Sequence, residues 1–210
     1  VSLLGQLGDS RALEPLVRCL DDPSGKVHQA LVTAFMRFPG QPRAVEALKS
    51  LALDSRFALP GSTRAFAARQ LKTVAGETAA TAVLLELLQS SDAQTVAAAA
   101  QVLAESSDPA VVDALIGALN RAATDSAFRD IATALGKLHD SRAVEPLAAF
   151  LQSSSVYRRA IAAYALGELG DERAAGALKA LVGDKAFAWE EDHGGPKYTV
   201  SPVYEGMLKE

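Results

Sequence analysis

The chain predicts an all-α fold, a right-handed α-α superhelix of about six two-helix repeats, on three observations. The first is self-similarity. Ala134 to Leu147 reads Ala-Leu-Gly-Lys-Leu-His-Asp-Ser-Arg-Ala-Val-Glu-Pro-Leu, and its pattern returns at Leu3 to Leu16 and at Ala165 to Ala174. Aligned on the residue before the motif's first Gly, the units start at Leu4, Phe35, Leu71, Leu103, Leu135 and Leu166, separated by 31, 36, 32, 32 and 31 residues. The second is composition: 49% hydrophobic but only 6% aromatic residues points to a core of Ala, Leu and Val between closely approaching helices. The third is apolar spacing of three and four residues throughout. Two helices joined by short loops cannot bury both apolar faces alone, so neighbouring units must stack to complete the core.

Each unit reads as a helix A followed by a helix B. Helix A is predicted at Arg11 to Leu20, Pro42 to Leu53, Ala79 to Gln89, Pro109 to Arg121, Ser141 to Gln152 and Glu172 to Val182. Helix B is predicted at Gly25 to Phe38, Ser62 to Ala75, Ala93 to Ser106, Ser126 to Leu138 and Ser155 to Leu169, with Val1 to Leu7 as the end of another. Asp9, Asp108, Asp140 and Asp171 stand where helix A needs an acceptor for its free amides. Gly8, Gly40, Gly76 and Gly170 stand where helix B ends and a left-handed residue is favoured, and His139 replaces that glycine in one unit. Pro15 and Pro146 fall inside helix A, which should bend or begin irregularly there. The long interval holds an insertion, Asp54 to Ser62, and Pro60-Gly61 marks it as a loop.

Residues 1 to 105 carry 10 basic and 10 acidic side chains and residues 106 to 210 carry 11 and 15, for a formal charge of -4. Neither half is basic, so no nucleic-acid partner is expected. The single cysteine, Cys19, reads as a small buried hydrophobe, which leaves no intrachain disulfide. No run of 18 apolar residues is present to span a membrane. The chain opens at Val1 inside a helical pattern, so upstream residues are expected to be missing, and the visible part reads as cytoplasmic. His28, His139 and His193 fall on different units and form no metal-ligand spacing; His28 is expected at a groove edge or loop. Without a Gly-rich phosphate loop, a Gly-x-Ser-x-Gly elbow or a Cys-x-x-Cys pair, no catalytic residue, metal or cofactor is expected.

The motif Leu-Gly-x-Leu-Gly-Asp-x-Arg-Ala-x-x-Pro-Leu resembles HEAT-like repeats of the short class named after phycobilisome lyases, over about residues 1 to 184. Residues 185 to 210 then form an atypical last repeat or cap. The resemblance implies that the Asp and Arg of Asp-x-Arg, here Asp9 and Arg11, Asp140 and Arg142, and Asp171 and Arg173, hydrogen-bond along the stack. In the middle units that pairing lapses, with Gln41 before Arg43, so apolar packing should carry more of the load there. The resemblance also implies that helix B lines the concave face.

The columns of exposed positions on that face nominate Thr33, Arg37, Phe66, Arg69, Gln101, Glu105, Arg129, Thr133, Lys137, Tyr164 and Glu168 as a partner-binding surface. Mixed charge with a few large groups suits a peptide or folded protein, where aromatic and Arg anchors dominate inside a polar surround. The tail supplies Trp189, Tyr198 and Tyr204, either as a cover for the exposed end of the stack or as a docking segment. The expected function is a non-catalytic protein- or peptide-binding scaffold; the alternative implied by the resemblance is a bilin lyase-like subunit that holds a tetrapyrrole for attachment to a protein. The partner's identity and the oligomeric state are not legible in the sequence.

Overall fold

The computed structural model describes residues 1–181, and within them every regular element is helical. The tail from 185 and its residues Trp189, Tyr198 and Tyr204 lie outside the described residues. The chain divides into two compact units, Val1–Leu103 and Ala104 onward.

The first unit holds α1 (Ser2–Leu7), α2 (Leu13–Arg18), α3 (Gly25–Phe35), α4 (Pro42–Leu53), α5 (Gly61–Ala75), α6 (Glu77–Leu87) and α7 (Ala93–Leu103). The odd-numbered helices are helix B of successive repeats, and they form one row in which α1 packs on α3, α3 on α5 and α5 on α7. The even-numbered helices α4 and α6 back that row by packing on α5. The aligned residues Phe35, Leu71 and Leu103 are buried between the layers, and Leu4 is half-buried. Truncating such a residue to Ala costs about 2–5 kcal/mol, so the repeat position that organises the sequence also organises the core.

The second unit repeats the scheme with α8 (Ala110–Arg121), α9 (Asp125–Lys137), α10 (Val144–Ala149), α11 (Val156–Leu169) and α12 (Ala175–Leu181). Here α9 and α11 are the paired B helices, and Leu135 and Leu166 are fully buried. Phe128 is buried with its ring edge-on to Phe150, 4.8 Å between centroids, and the Arg158 guanidinium lies 5.1 Å from the same ring.

The expected boundaries hold to within a few residues, and the departures have local causes. Helix A begins with a 3-10 turn at Ser10–Ala12 and Ser141–Ala143, as the prolines predicted, but also at Glu172–Ala174, where no proline follows. All three share an N-terminal aspartate: Asp9, Asp140 and Asp171 each accept the backbone N–H two residues on, at 2.9 Å. Asp108 makes the same bond to Ala110, where α8 starts directly as an α-helix, so the aspartate caps the helix without by itself imposing the 3-10 turn. The four glycines that close helix B all have positive φ, and His139, in the fifth such place, is held at φ 50. Gly76 departs from the left-handed cap, since its ψ is 168.

Gly61 is a correction of a different kind. It is not a loop residue but the first residue of α5. A Cβ there would lie 2.5 Å from the backbone nitrogen of Thr95 and 2.6 Å from its Cα, so α5 meets the start of α7 at a distance only glycine permits. The motif glycine itself does the same work between B helices. A Cβ on Gly5 would strike that of Ala34 at 2.7 Å, and one on Gly136 the carbonyl oxygen of Ala165 at 2.9 Å.

Candidate functional site

The B helices α3, α5, α7, α9 and α11 bury most of their surface and leave one stripe exposed or half-buried, and the nominated residues other than Arg37 and Glu105 fall on those stripes within each unit. In the first unit Thr33 and Arg69 are exposed on the adjacent helices α3 and α5, Phe66 is half-buried beside them, and Gln101 is exposed on α7. The Arg69 guanidinium lies 5.6 Å from the centre of the Phe66 ring. That spacing of three residues along α5 puts cation and ring on one side of the helix, where each steadies the other. A long contact, Gln29 Nε2 to Thr63 Oγ1 at 3.5 Å, spans α3 and α5 near the same stripe.

In the second unit Arg129 and Lys137 are exposed on α9, Thr133 between them is half-buried, and Tyr164 on α11 is 43% exposed although its neighbours on both sides are buried. Arg129 donates to Asp130 at 3.1 Å, and that carboxylate, with a lesser contribution from Tyr157, stabilises the charged guanidinium. Glu168 is half-buried because it passes over Gly136: a Cβ on that glycine would sit 3.2 Å from the Glu168 Cβ.

Two nominated residues are displaced from the helices. Arg37 and Glu105 are exposed in the turns after α3 and α7, because those helices end at Phe35 and Leu103, earlier than the periodicity predicts. Pro39 disfavours continued helix before it while Phe38 turns inward to be buried. After α7, Ser106 accepts the N–H of Asp108 at 3.2 Å and draws the chain into a turn.

The Asp-x-Arg residues form a second system, on the side of helix A. Arg11 stays local, with Asp9. Arg142 binds Asp140 and also reaches back one repeat, to Asp113 at 2.8 Å and the carbonyl of Pro109 at 2.9 Å. Arg173 binds Asp171 and reaches the carbonyl of Ser141 at 3.4 Å. Arg43, which lacks its aspartate, instead pairs with Glu14 of the preceding repeat at 3.3 Å. Bonding from the neighbouring guanidinium and its N–H depresses the Asp9 and Asp140 carboxyls and takes that of Asp171 to about 2.

The sequence reading missed what the insertion builds. Asp54-Ser55-Arg56 is a further Asp-x-Arg with the same geometry, Arg56 Nε to Asp54 at 2.7 Å and its N–H at 2.8 Å, and that spacing was the available signal. Arg64 clamps the insertion by donating to four carbonyls, those of Ala52, Asp54, Phe57 and Leu59. The fold-back encloses a cleft of about 570 Å³ lined by Arg18, Asp21, Asp22, His28, Arg56 and Phe57 among others. His28 is therefore not at an edge: it is 5% exposed, bonded through Nε2 to the Leu20 carbonyl at 3.1 Å and edge-on to Phe57 at 4.7 Å. Cys19 is not buried either. The α-helix has ended at Arg18, and in the following 3-10 turn the thiol is half-exposed, 3.3 Å from the Pro15 carbonyl.

Among the described residues no cluster of three or more His, Cys, Asp or Glu is placed to hold a metal ion, and no helix is long and apolar enough to cross a membrane. Comparison with known proteins adds lineage. The sequence profile of HEAT repeats matches residues 58–129 and 123–190, and that of the PBS lyase HEAT-like repeat matches residues 1–22. A phycocyanobilin lyase subunit alpha from Picosynechococcus sp. (strain ATCC 27264 / PCC 7002 / PR-6) is 41% identical over 81 residues, 39% of this chain and 30% of that protein's length. The structure of human deoxyhypusine hydroxylase in complex with glycerol aligns with a TM-score of 0.44 at 18% identity, covering 99% of this chain and 85% of that one.

Proposed function

This chain belongs to the HEAT-repeat family, an all-α solenoid class, and from that premise we propose that it is a non-catalytic scaffold that binds a protein or peptide on the exposed stripes of its B helices. The observation that carries the reading is the set of large and charged groups on those stripes, the Phe66–Arg69 stack in the first unit and Tyr164 and Lys137 on the packed helices α11 and α9 of the second. A solvated helix face has no need of an exposed tyrosine between buried neighbours, whereas Tyr and Arg are the residues that dominate binding energy at interfaces. In this reading residues 1–184 are the repeat domain and 185–210 its cap.

The test is capture of partners from source-cell lysate by the natural chain and by an Arg69→Glu, Lys137→Glu, Tyr164→Ala variant. A protein retained by the first and lost by the second, at unchanged melting temperature, is the expected result. Identical captures would remove the stripes from consideration.

A second reading, a subunit that binds a bilin for attachment to a protein, draws support from the relative named as a phycocyanobilin lyase subunit. Because the matched stretch spans 30% of that relative, the lyase activity of the whole protein transfers only as a proposal. Titration of the chain with a bilin separates the two readings: a red-shifted, saturable absorbance change supports the second, and a spectrum equal to the sum of its parts supports the scaffold.

A further inference from the structure

The charges of the first unit are sorted by layer. Between Val1 and Leu103 the sequence has nine carboxylates, and every one lies on α2, α4, α6 or in a loop or 3-10 turn. The four B helices α1, α3, α5 and α7 contain none. They contain Lys26, Arg64, Arg69 and Lys72; the turn after α3 adds Arg37, and the turn after α7, past the end of this unit, holds Glu105. Arg64 is spent on the carbonyls of the insertion, and Lys72 pairs with Glu77. Lys26, Arg37 and Arg69 are exposed and have no carboxylate partner among the described residues.

A solvated helix face ordinarily mixes both signs, because acids and bases three or four residues apart stabilise the helix. The B helices of the second unit are of that kind. They carry Asp125, Asp130 and Glu168 alongside their cations, with Arg158 bonded to Asp125 at 3.0 Å and Arg129 to Asp130. A row of packed helices that excludes carboxylates is left with an uncompensated positive field, which attracts an acidic ligand and repels a basic one.

We propose that the B-helix row of the first unit docks an acidic peptide segment whose carboxylates flank an apolar side chain. The inference rests on the scaffold reading and specifies its ligand. Phe66 supplies the apolar contact. The Arg69 guanidinium, laid against that ring, keeps its N–H fork free at the rim for a bidentate carboxylate. Arg37, in the turn after the neighbouring helix, supplies a second point of charge, and Lys26 a third at the start of the same helix. Three uncompensated cations match a few carboxylates on a peptide. They are too few for the regular phosphate spacing of a nucleic acid, which needs a dense basic stripe.

The test is fluorescence anisotropy of the full chain with a short labelled peptide rich in Glu and Leu, its Gln counterpart, and a labelled single-stranded oligonucleotide. The expected result is binding of the Glu peptide that weakens between roughly 50 and 300 mM salt and falls at least about tenfold in Arg37→Gln, Arg69→Gln. Lys179→Gln, on the exposed side of α12 in the second unit and outside the nominated surface, should change it less than about twofold. The Gln variants keep the helix register, and circular dichroism melting checks that they fold. Equal binding of the Gln counterpart, still lost on Phe66→Ala, overturns the acidic class and leaves the scaffold reading standing. Preference for the oligonucleotide, or no binding of the Glu peptide, overturns the proposal. Peptide binding indifferent to Arg37, Phe66, Arg69 and Lys137 alike overturns both.

Discussion

The two units are built from the same two-helix repeat and hold their repeats together by different means. In the second unit guanidinium groups stitch each repeat to the one before: Arg142 to Asp113 and the Pro109 carbonyl, Arg158 to Asp125 and the Ala122 carbonyl, Arg173 to the Ser141 carbonyl. In the first unit Arg11 bonds within its own turn, Arg43 reaches one exposed glutamate, and Arg64 is committed to the insertion. There the repeats rely on apolar burial and on close backbone approach, with Gly61 set against the start of α7. The price of unstitched repeats is a demand for tight packing, and the return is a B-helix row free of carboxylates. Exposed ion pairs contribute little to stability, about 0–1 kcal/mol each, so the unit with fewer ion pairs between its repeats loses little by it.

That contrast is tested first where the first unit is least forgiving. Gly61→Ala places a methyl 2.5 Å from backbone atoms that belong to another helix and cannot rotate aside. Even after the helix-propensity gain of Ala over Gly, we expect a loss of about 2–3 kcal/mol in urea unfolding. Gly136→Ala in the second unit meets its neighbours at 2.9 Å and more, and should lose about 1–2 kcal/mol. A reversed order would mean that backbone approach is not what holds the first unit.

Next comes the clamp against the stitch. Arg64→Met removes the donor to four carbonyls at a part-buried site. It should cost about 2–3 kcal/mol and expose amides of residues 54–59 to hydrogen exchange. Arg142→Met breaks as many bonds at the surface, yet should shift the urea midpoint far less, since water replaces each one. Equal losses would show that the exposed ladder carries real load.

The smallest effect is the pH dependence of that ladder. The Asp171 carboxyl titrates at about 2 in the folded chain, against an ordinary value of 3.8, because Arg173 bonds to its charged form. A depressed folded value means that the contribution is fully present above the unfolded value and is lost as pH falls from about 4 through about 2. Asp171→Asn should therefore flatten the acid limb of the melting curve in that window and leave the melting temperature at neutral pH slightly lower. An acid limb unchanged by the substitution would show that the carboxyl is not held by Arg173.

Much of this was legible in the chain because it is local. Leucine and glycine at fixed spacing specify where helices start, stop and bury a face, and Pro42–Leu53 was read to the residue. Asp9, Asp140 and Asp171 cap because the bond they make spans only two residues. The exposed stripe of helix B, with Arg69, Lys137 and Tyr164, follows from the same 3.6-residue period. What the pattern could not supply was anything set by a neighbour. Glu168 is half-covered because Gly136 of the adjacent helix admits it, His28 is buried because an insertion 30 residues away folds over it, and position 61 must be glycine because Thr95 leaves room for nothing larger. Periodicity therefore determined which side of each helix faces inward. Which side chains meet, how closely the backbones approach and which cations lack a partner were decided only by packing, because those depend on distances between segments that the sequence does not order.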